Sequence, residues 1–131
     1  MRFRWWLLAV VMASACTSST TPTVPFNKAF TLAPGEIVVI DETSIGVRFV
    51  NVLGDSRCPA NATCIQAGDA IVWIEVNPLH GPANYYALHT ATQRPVVFEG
   101  QTISLVQVTP YPFSVGAIKP EEYRVTLRIT R

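Results

Sequence analysis

Histidine, serine and cysteine are the side chains through which this chain could carry out chemistry, and each has few candidate partners. His80 stands in a turn with Gly81 and Pro82, and His89 falls on an expected strand. Neither has an acidic neighbour at a local spacing that would orient an imidazole for base or triad work. Ser44, Ser56 and Ser104 lack the strand–Ser–helix elbow that presents a nucleophile. These patterns supply no catalytic residue, so the chain reads as a non-enzyme. Cys58 and Cys64 are separated by five residues. Structural zinc wants four ligands, and no histidine adjoins this pair. Redox pairs normally have two intervening residues in an α/β setting. A structural disulfide is the leading expectation, with no metal and no cofactor.

The amino terminus decides the setting of those thiols. Met1-Arg2-Phe3-Arg4 is a short basic stretch, and Trp5 to Met12 is an apolar run far too short to cross a bilayer as a helix. Ala13-Ser14-Ala15 then gives small residues directly before Cys16. Small residues suit access by a peptidase, and a cysteine immediately after them marks a bacterial lipobox, whose thiol accepts a diacylglycerol. Ala13 stands where the usual lipobox has Leu, and a plain secretory signal with a chance cysteine is the alternative. We therefore expect residues 1–15 to be a cleaved signal and Cys16 a lipidation site. Thr17, not Asp, follows the cysteine, which tilts the expectation toward the outer membrane, facing the periplasm, in a Gram-negative cell. Residues 16–25, rich in Thr, Ser and Pro, read as a flexible tether. Two or three acyl chains hold a protein stably where one does not. With Cys16 consumed by lipid, the odd cysteine count resolves, and an oxidising envelope favours the Cys58–Cys64 bond.

Positioning falls to the remaining segment, residues 26–131, which is long enough for one core. Its apolar pattern has period two. Phe30 and Leu32 alternate with small or polar neighbours, and Pro34-Gly35 makes a turn. The runs 36–41 and 44–53 are β-branched, with Val47, Phe49 and Leu53 on one side and Arg48, Val50 and Val52 on the other. Further strands are expected over 70–76, 85–89, 96–98 and 102–108, the last with Ile103 and Leu105 inward. In the final segment Tyr123, Val125, Leu127 and Ile129 alternate with Arg124, Thr126, Arg128 and Thr130. No window carries a capped helical stripe. Seven or eight short strands imply an all-β, antiparallel sandwich, immunoglobulin-like or a small barrel, closed by pairing of its first and last strands.

Two loops interrupt this pattern, 55–68 and 110–122. Asp55, Arg57 and Asp69 flank the first and could bridge its ends, and the preferred use of Arg57 is burial against backbone carbonyls. Asn61-Ala62-Thr63 matches a glycosylation acceptor but reads as a turn. Tyr111 and Phe113 either cap the core or offer an exposed aromatic contact, and with Arg57 they form the candidate binding loop.

Phe30-x-Leu32-x-x-Gly35-Glu36, Asp55-Ser56-Arg57-Cys58-Pro59 with Cys64 and Ala67-Gly68-x-Ala70, and Leu105 to Pro110-Tyr111-Pro112 with Tyr123-Arg124-Val125-Thr126-Leu127 resemble a family of small uncharacterised bacterial lipoproteins. The resemblance spans nearly all of the chain beyond Cys16, and the stretch around Cys58 is its most specific part. It departs at Gln66, where members often carry Trp. The resemblance implies a disulfide and an all-β domain, and brings no catalytic residue.

Charged residues make up 15% of the chain, against roughly 25% in soluble domains, and formal net charge is +1. With no basic run, nucleic acid is not an expected partner. The leading functional expectation is a membrane-anchored, non-enzymatic module that binds an envelope protein, peptide or glycan. The alternative is a protease-inhibitor-like domain that fills a cleft with loops 55–68 and 110–122, as small immunoglobulin-like inhibitors of cysteine proteases do.

Overall fold

Strands form where β-branched and aromatic residues alternate with polar ones, and the computed structural model, which describes residues 15–78 and 80–131, follows that pattern closely. The leader read over 1–15 lies outside the described residues, apart from Ala15. Among the described residues nine strands are present: β1 (Thr23–Val24), β2 (Ala29–Leu32), β3 (Ile37–Ile40), β4 (Gly46–Asp55), β5 (Ala70–Asn77), β6 (Asn84–His89), β7 (Val96–Phe98), β8 (Gln101–Thr109) and β9 (Arg124–Thr130). A single 3-10 turn, Pro120–Glu122, precedes β9.

The strands make two sheets, ordered β1-β3-β4-β5-β6 and β2-β9-β8-β7. The all-β fold expected from the sequence is present, and β2 pairs with β9, Phe30 opposite Leu127, to tie the beginning of the domain to its end. Between the sheets lie Val38, Ile40, Val47, Phe49, Val72, Ile74, Leu88, Ile103, Val125, Leu127 and Ile129, nearly all without solvent contact. On β5 and β9 the alternation is strict, because a strand sends successive side chains to opposite faces.

Three details differ from the sequence reading. The folded domain begins earlier than residue 26: Thr23 and Val24 lie parallel to Val39 and Ile40, and Val24 is buried. The five-stranded sheet is therefore mixed, not wholly antiparallel. Leu53 does not share the inner face with Val47 and Phe49, and is instead 56% exposed. The register shift between Phe49 and Asn51 explains this, since one extra residue on a strand reverses which parity faces inward, and the shift between Val52 and Gly54 reverses it back before Asp55. Val52 packs against the core in its place. A shift between Leu105 and Gln107 acts likewise on β8, where Ile103 and Val108 are both buried.

The registers define two ends. The β4–β5, β6–β7 and β8–β9 connections lie at one, called here the loop end, with the Pro34-Gly35 turn on the same side. The short β3–β4, β5–β6 and β7–β8 connections and the carboxyl terminus lie at the other. Both long loops foreseen in the sequence therefore share an end.

Leu127 tests the assignment of faces. We expect Leu127→Ala to lower unfolding free energy by about 2–5 kcal/mol, as deep aliphatic truncations do. A loss near zero on a urea curve would place the residue outside the core.

Candidate functional site

Asp55 closes β4, and two residues later Arg57 turns back into the domain. Its Nε donates to Asp55 Oδ1 at 2.8 Å and its Nη2 to Asp55 Oδ2 at 2.6 Å, a two-pronged ion pair. The same guanidinium crosses to the other sheet, where Nη1 donates to the Val108 carbonyl at 2.8 Å and Nη2 to the Pro110 carbonyl at 3.0 Å. Tyr123, just before β9, donates its hydroxyl to Asp55 Oδ2 at 3.0 Å. Arg57 is 8% exposed. A planar cation with five donors suits this task, because four of them meet fixed acceptors and the charge is neutralised in place. Asp55 alone would be costly to bury.

These contacts move the titrations. Burial pushes the Asp55 carboxyl up, but the hydrogen bonds from Arg57 and Tyr123 overcome it and hold the group below the usual aspartate value of 3.8. The bond to Asp55, acting against desolvation, raises Arg57 further above its ordinary range. Burial, then the neighbouring Asp55 carboxylate, pushes Tyr123 up to about 12.

Above this pair the two loops join. Ala60 N donates to the Pro112 carbonyl at 2.9 Å, and Asn61 N to the Phe113 carbonyl at 3.1 Å. Tyr111 donates its hydroxyl to the Cys58 carbonyl at 2.7 Å, and the Arg57 guanidinium lies 5.3 Å from its ring centre. Cys58 and Cys64 are bonded, with Cα atoms 5.8 Å apart. Closing so small a loop contributes about 2 kcal/mol by restricting the unfolded chain. Cys58 N donates to the Ala67 carbonyl at 2.9 Å, and the Asn61-Ala62-Thr63 stretch is a turn, with Ala62 N donating to the Pro59 carbonyl at 3.0 Å. Gly68 has φ +73°, and a Cβ there would collide with the Ser56 carbonyl. Glycine is required at that point for both reasons.

A second cluster braces the base of the loop. Asp69 Oδ2 lies 2.5 Å from His89 Nδ1, and Asp69 Oδ1 accepts from Thr90 Oγ1 at 3.0 Å and Ala91 N at 2.9 Å. Burial raises the Asp69 carboxyl, and these bonds, His89 first, bring it below the ordinary value. The sequence reading missed this pair. Its members are 20 residues apart and meet only because β5 and β6 are neighbours. An aspartate on Nδ1 fixes an imidazole as in a triad. Ser56, the adjacent hydroxyl, is instead committed to the Asp69 backbone, donating to its carbonyl at 3.1 Å and accepting from its N–H at 3.0 Å. No bond joins Ser56 to His89 among the described residues, and His80 lies at the opposite end, lining a separate hollow with Thr43 and Glu99.

Of the three candidate binding residues, Tyr111 and Phe113 are exposed, at 58% and 70%, while Arg57 is enclosed and not free to meet a partner. Its role is the buried one, against carbonyls. The structure adds Ile65 and Val115, at 104% and 88% exposure, on the same joined loops. Between them and Tyr123 runs a cleft of about 170 Å³ lined by Arg57, Pro59, Cys64, Pro112 and Ile118.

The shifted groups give a two-sided pH dependence. Asp55 titrates below 3.8 in the folded state, so its stabilisation is present above that pH and is lost as pH falls through the folded value. Tyr123 titrates near 12 against an ordinary 10.0, so its contribution is present below pH 10.0 and is lost as pH rises toward 12. We expect Tyr123→Phe to flatten the alkaline decline in urea midpoint. Asp55→Asn should make the acid decline shallower, with Asp69 supplying what remains, and cost about 3 kcal/mol or more at neutral pH by leaving Arg57 unpaired. A Cys58→Ala, Cys64→Ala chain should lose about 2 kcal/mol and stay folded. Free thiols in oxidised wild-type protein, beyond Cys16, would contradict the bond. In comparisons with known proteins, no family model, no curated protein and no solved structure matches the chain.

Proposed function

We propose that this chain is a lipid-anchored protein of the bacterial cell envelope, held by an acylated Cys16, whose domain is a non-enzymatic binding module acting through its loop end. In a Gram-negative cell the anchor sits in the outer membrane and the domain faces the periplasm. One observation carries the choice of surface. Loops from opposite sheets are joined by backbone bonds, fixed from below by Arg57 and closed by a disulfide, and yet they expose Ile65, Tyr111, Phe113 and Val115. Apolar side chains on a pre-ordered loop are suited to contact, because little ordering entropy remains to be lost on association. Cys16 is exposed and Ala15–Pro22 forms no regular element, as an acyl attachment point and its tether require.

The inhibitor reading uses the same end, since stiff paired loops also fit a protease cleft. Titration of the domain against a papain-like protease separates the two, and no inhibition is expected for the module proposed here.

Cys16→Ser should carry no acyl mass and move from the membrane pellet to the soluble fraction, while wild-type protein carries the mass of attached acyl chains. Wild-type protein without lipid mass, together with an unchanged distribution of the variant, would end the anchor reading.

A further inference from the structure

The direction of β1 gives the loop end a specific neighbour. Thr23–Val24 runs parallel to β3, and β3 starts on the side of the loop end. The residues before Thr23 therefore leave the domain toward the loop end, with the Pro22 carbonyl accepting from Val39 N at 2.9 Å. Ile37, at the start of β3, is level with Arg48, and β4 continues from there to Asp55. That remaining length is roughly 20 Å at strand rise. Residues 16 to 22, fully extended, also span about 20 Å. Fully extended, the chain thus carries a lipid on Cys16 to about the level of Asp55, the base of the loops, and a chain so short holds that end at the membrane.

Composition agrees with this placement. Residues 58–68 and 110–118, which make up the joined loops, contain no Asp, Glu, Lys, Arg or His. Charge resumes at Asp69 and Lys119, on the rim. The opposite end carries Lys28, Asp41, Glu42, Glu99 and Arg131, with Glu42 and Arg131 paired at 2.5 Å. An uncharged crest with Tyr and Phe at its tips matches the membrane interface, where aromatic rings settle and charges are disfavoured.

We infer that the crest formed by Ile65, Tyr111, Phe113 and Val115 seats on the lipid bilayer surface beside the anchor, so that the domain stands with its loop end down and its charged end outward. The inference rests on the reading of Cys16 as the anchored residue and names the partner of the loop end as lipid.

The test fixes the anchor by chemistry, so that it does not depend on acylation in the cell. The core lies wholly within residues 24–129, so the chain beginning at Cys16 carries all of it. Cys16, the free cysteine, is coupled to a maleimide phospholipid in phosphatidylcholine vesicles containing phosphatidylglycerol. In a Trp73→Phe background, Phe113→Trp reports the crest and His80→Trp the opposite end, with Val115→Trp as a second crest position should the first not fold. Replacing the phosphatidylcholine by its brominated form should quench crest emission by roughly half, as for a ring at the interface, and leave His80→Trp unchanged. Unquenched crest emission, the result for a soluble protein partner, overturns the inference, as does equal quenching at both ends. Neither outcome touches the anchor reading, which falls only if Cys16 of cellular protein carries no lipid.

Discussion

A charge inside a small apolar domain must be neutralised where it lies, and the arrangement of the loop end follows from how Arg57 meets that condition. Asp55 balances it, the Val108 carbonyl on β8 and the Pro110 carbonyl just beyond that strand take further donors, and Tyr123 completes the carboxylate. Each partner comes from a different part of the chain: the end of β4, the end of β8, the loop after it and the approach to β9. The side chain that would be most expensive to leave unpaired is thus the one that fixes the two sheets relative to each other at this end. Hydrophobic burial holds the sheets face to face without setting their angle so closely, because it is not directional.

What stands above the pair inherits its order. Two long loops with few apolar anchors of their own would ordinarily be mobile, and fixing each residue costs roughly 1–2 kcal/mol. Here the disulfide, the Tyr111 hydroxyl and the backbone bonds between Ala60, Asn61, Pro112 and Phe113 share that cost with the core below. Apolar side chains can then remain outside without collapsing inward, since the backbone that carries them is already committed. Sulfur, phenol and guanidinium act together.

Much of this was legible in the residues. Alternation through Tyr123 to Ile129 gave a strand and its faces, because period two is a property of the backbone and survives any topology. The Cys58–Cys64 spacing pointed to the bond now seen. Other features were not legible, for physical reasons. Leu53 and Val52 exchanged faces through bulges, which leave no signature in a run of β-branched residues. Val24 sits in a Thr/Pro-rich stretch whose composition resembles a linker, and only the free edge of β3 recruits it into the sheet. Asp69 and His89 meet through strand pairing across 20 residues, and no local motif encodes such a meeting. Arg57 was assigned to carbonyls correctly, but which carbonyls depended on the packing of the second sheet.

The two-residue β1 has a mechanical meaning. A pull applied to the residues before Thr23 reaches the domain through Thr23–Val24 and acts along the strand, so the bonds from Val39 N to the Pro22 carbonyl and from Asp41 N to the Val24 carbonyl share the load in shear. They are few, and their strand lies at the margin of the five-stranded sheet. A strong enough pull detaches this segment first and lengthens the stretch of chain ahead of the domain by several residues, while β2 remains zipped to β9 and the rest of the core stays closed. The edge strand is a sacrificial link: it yields slack before the fold yields.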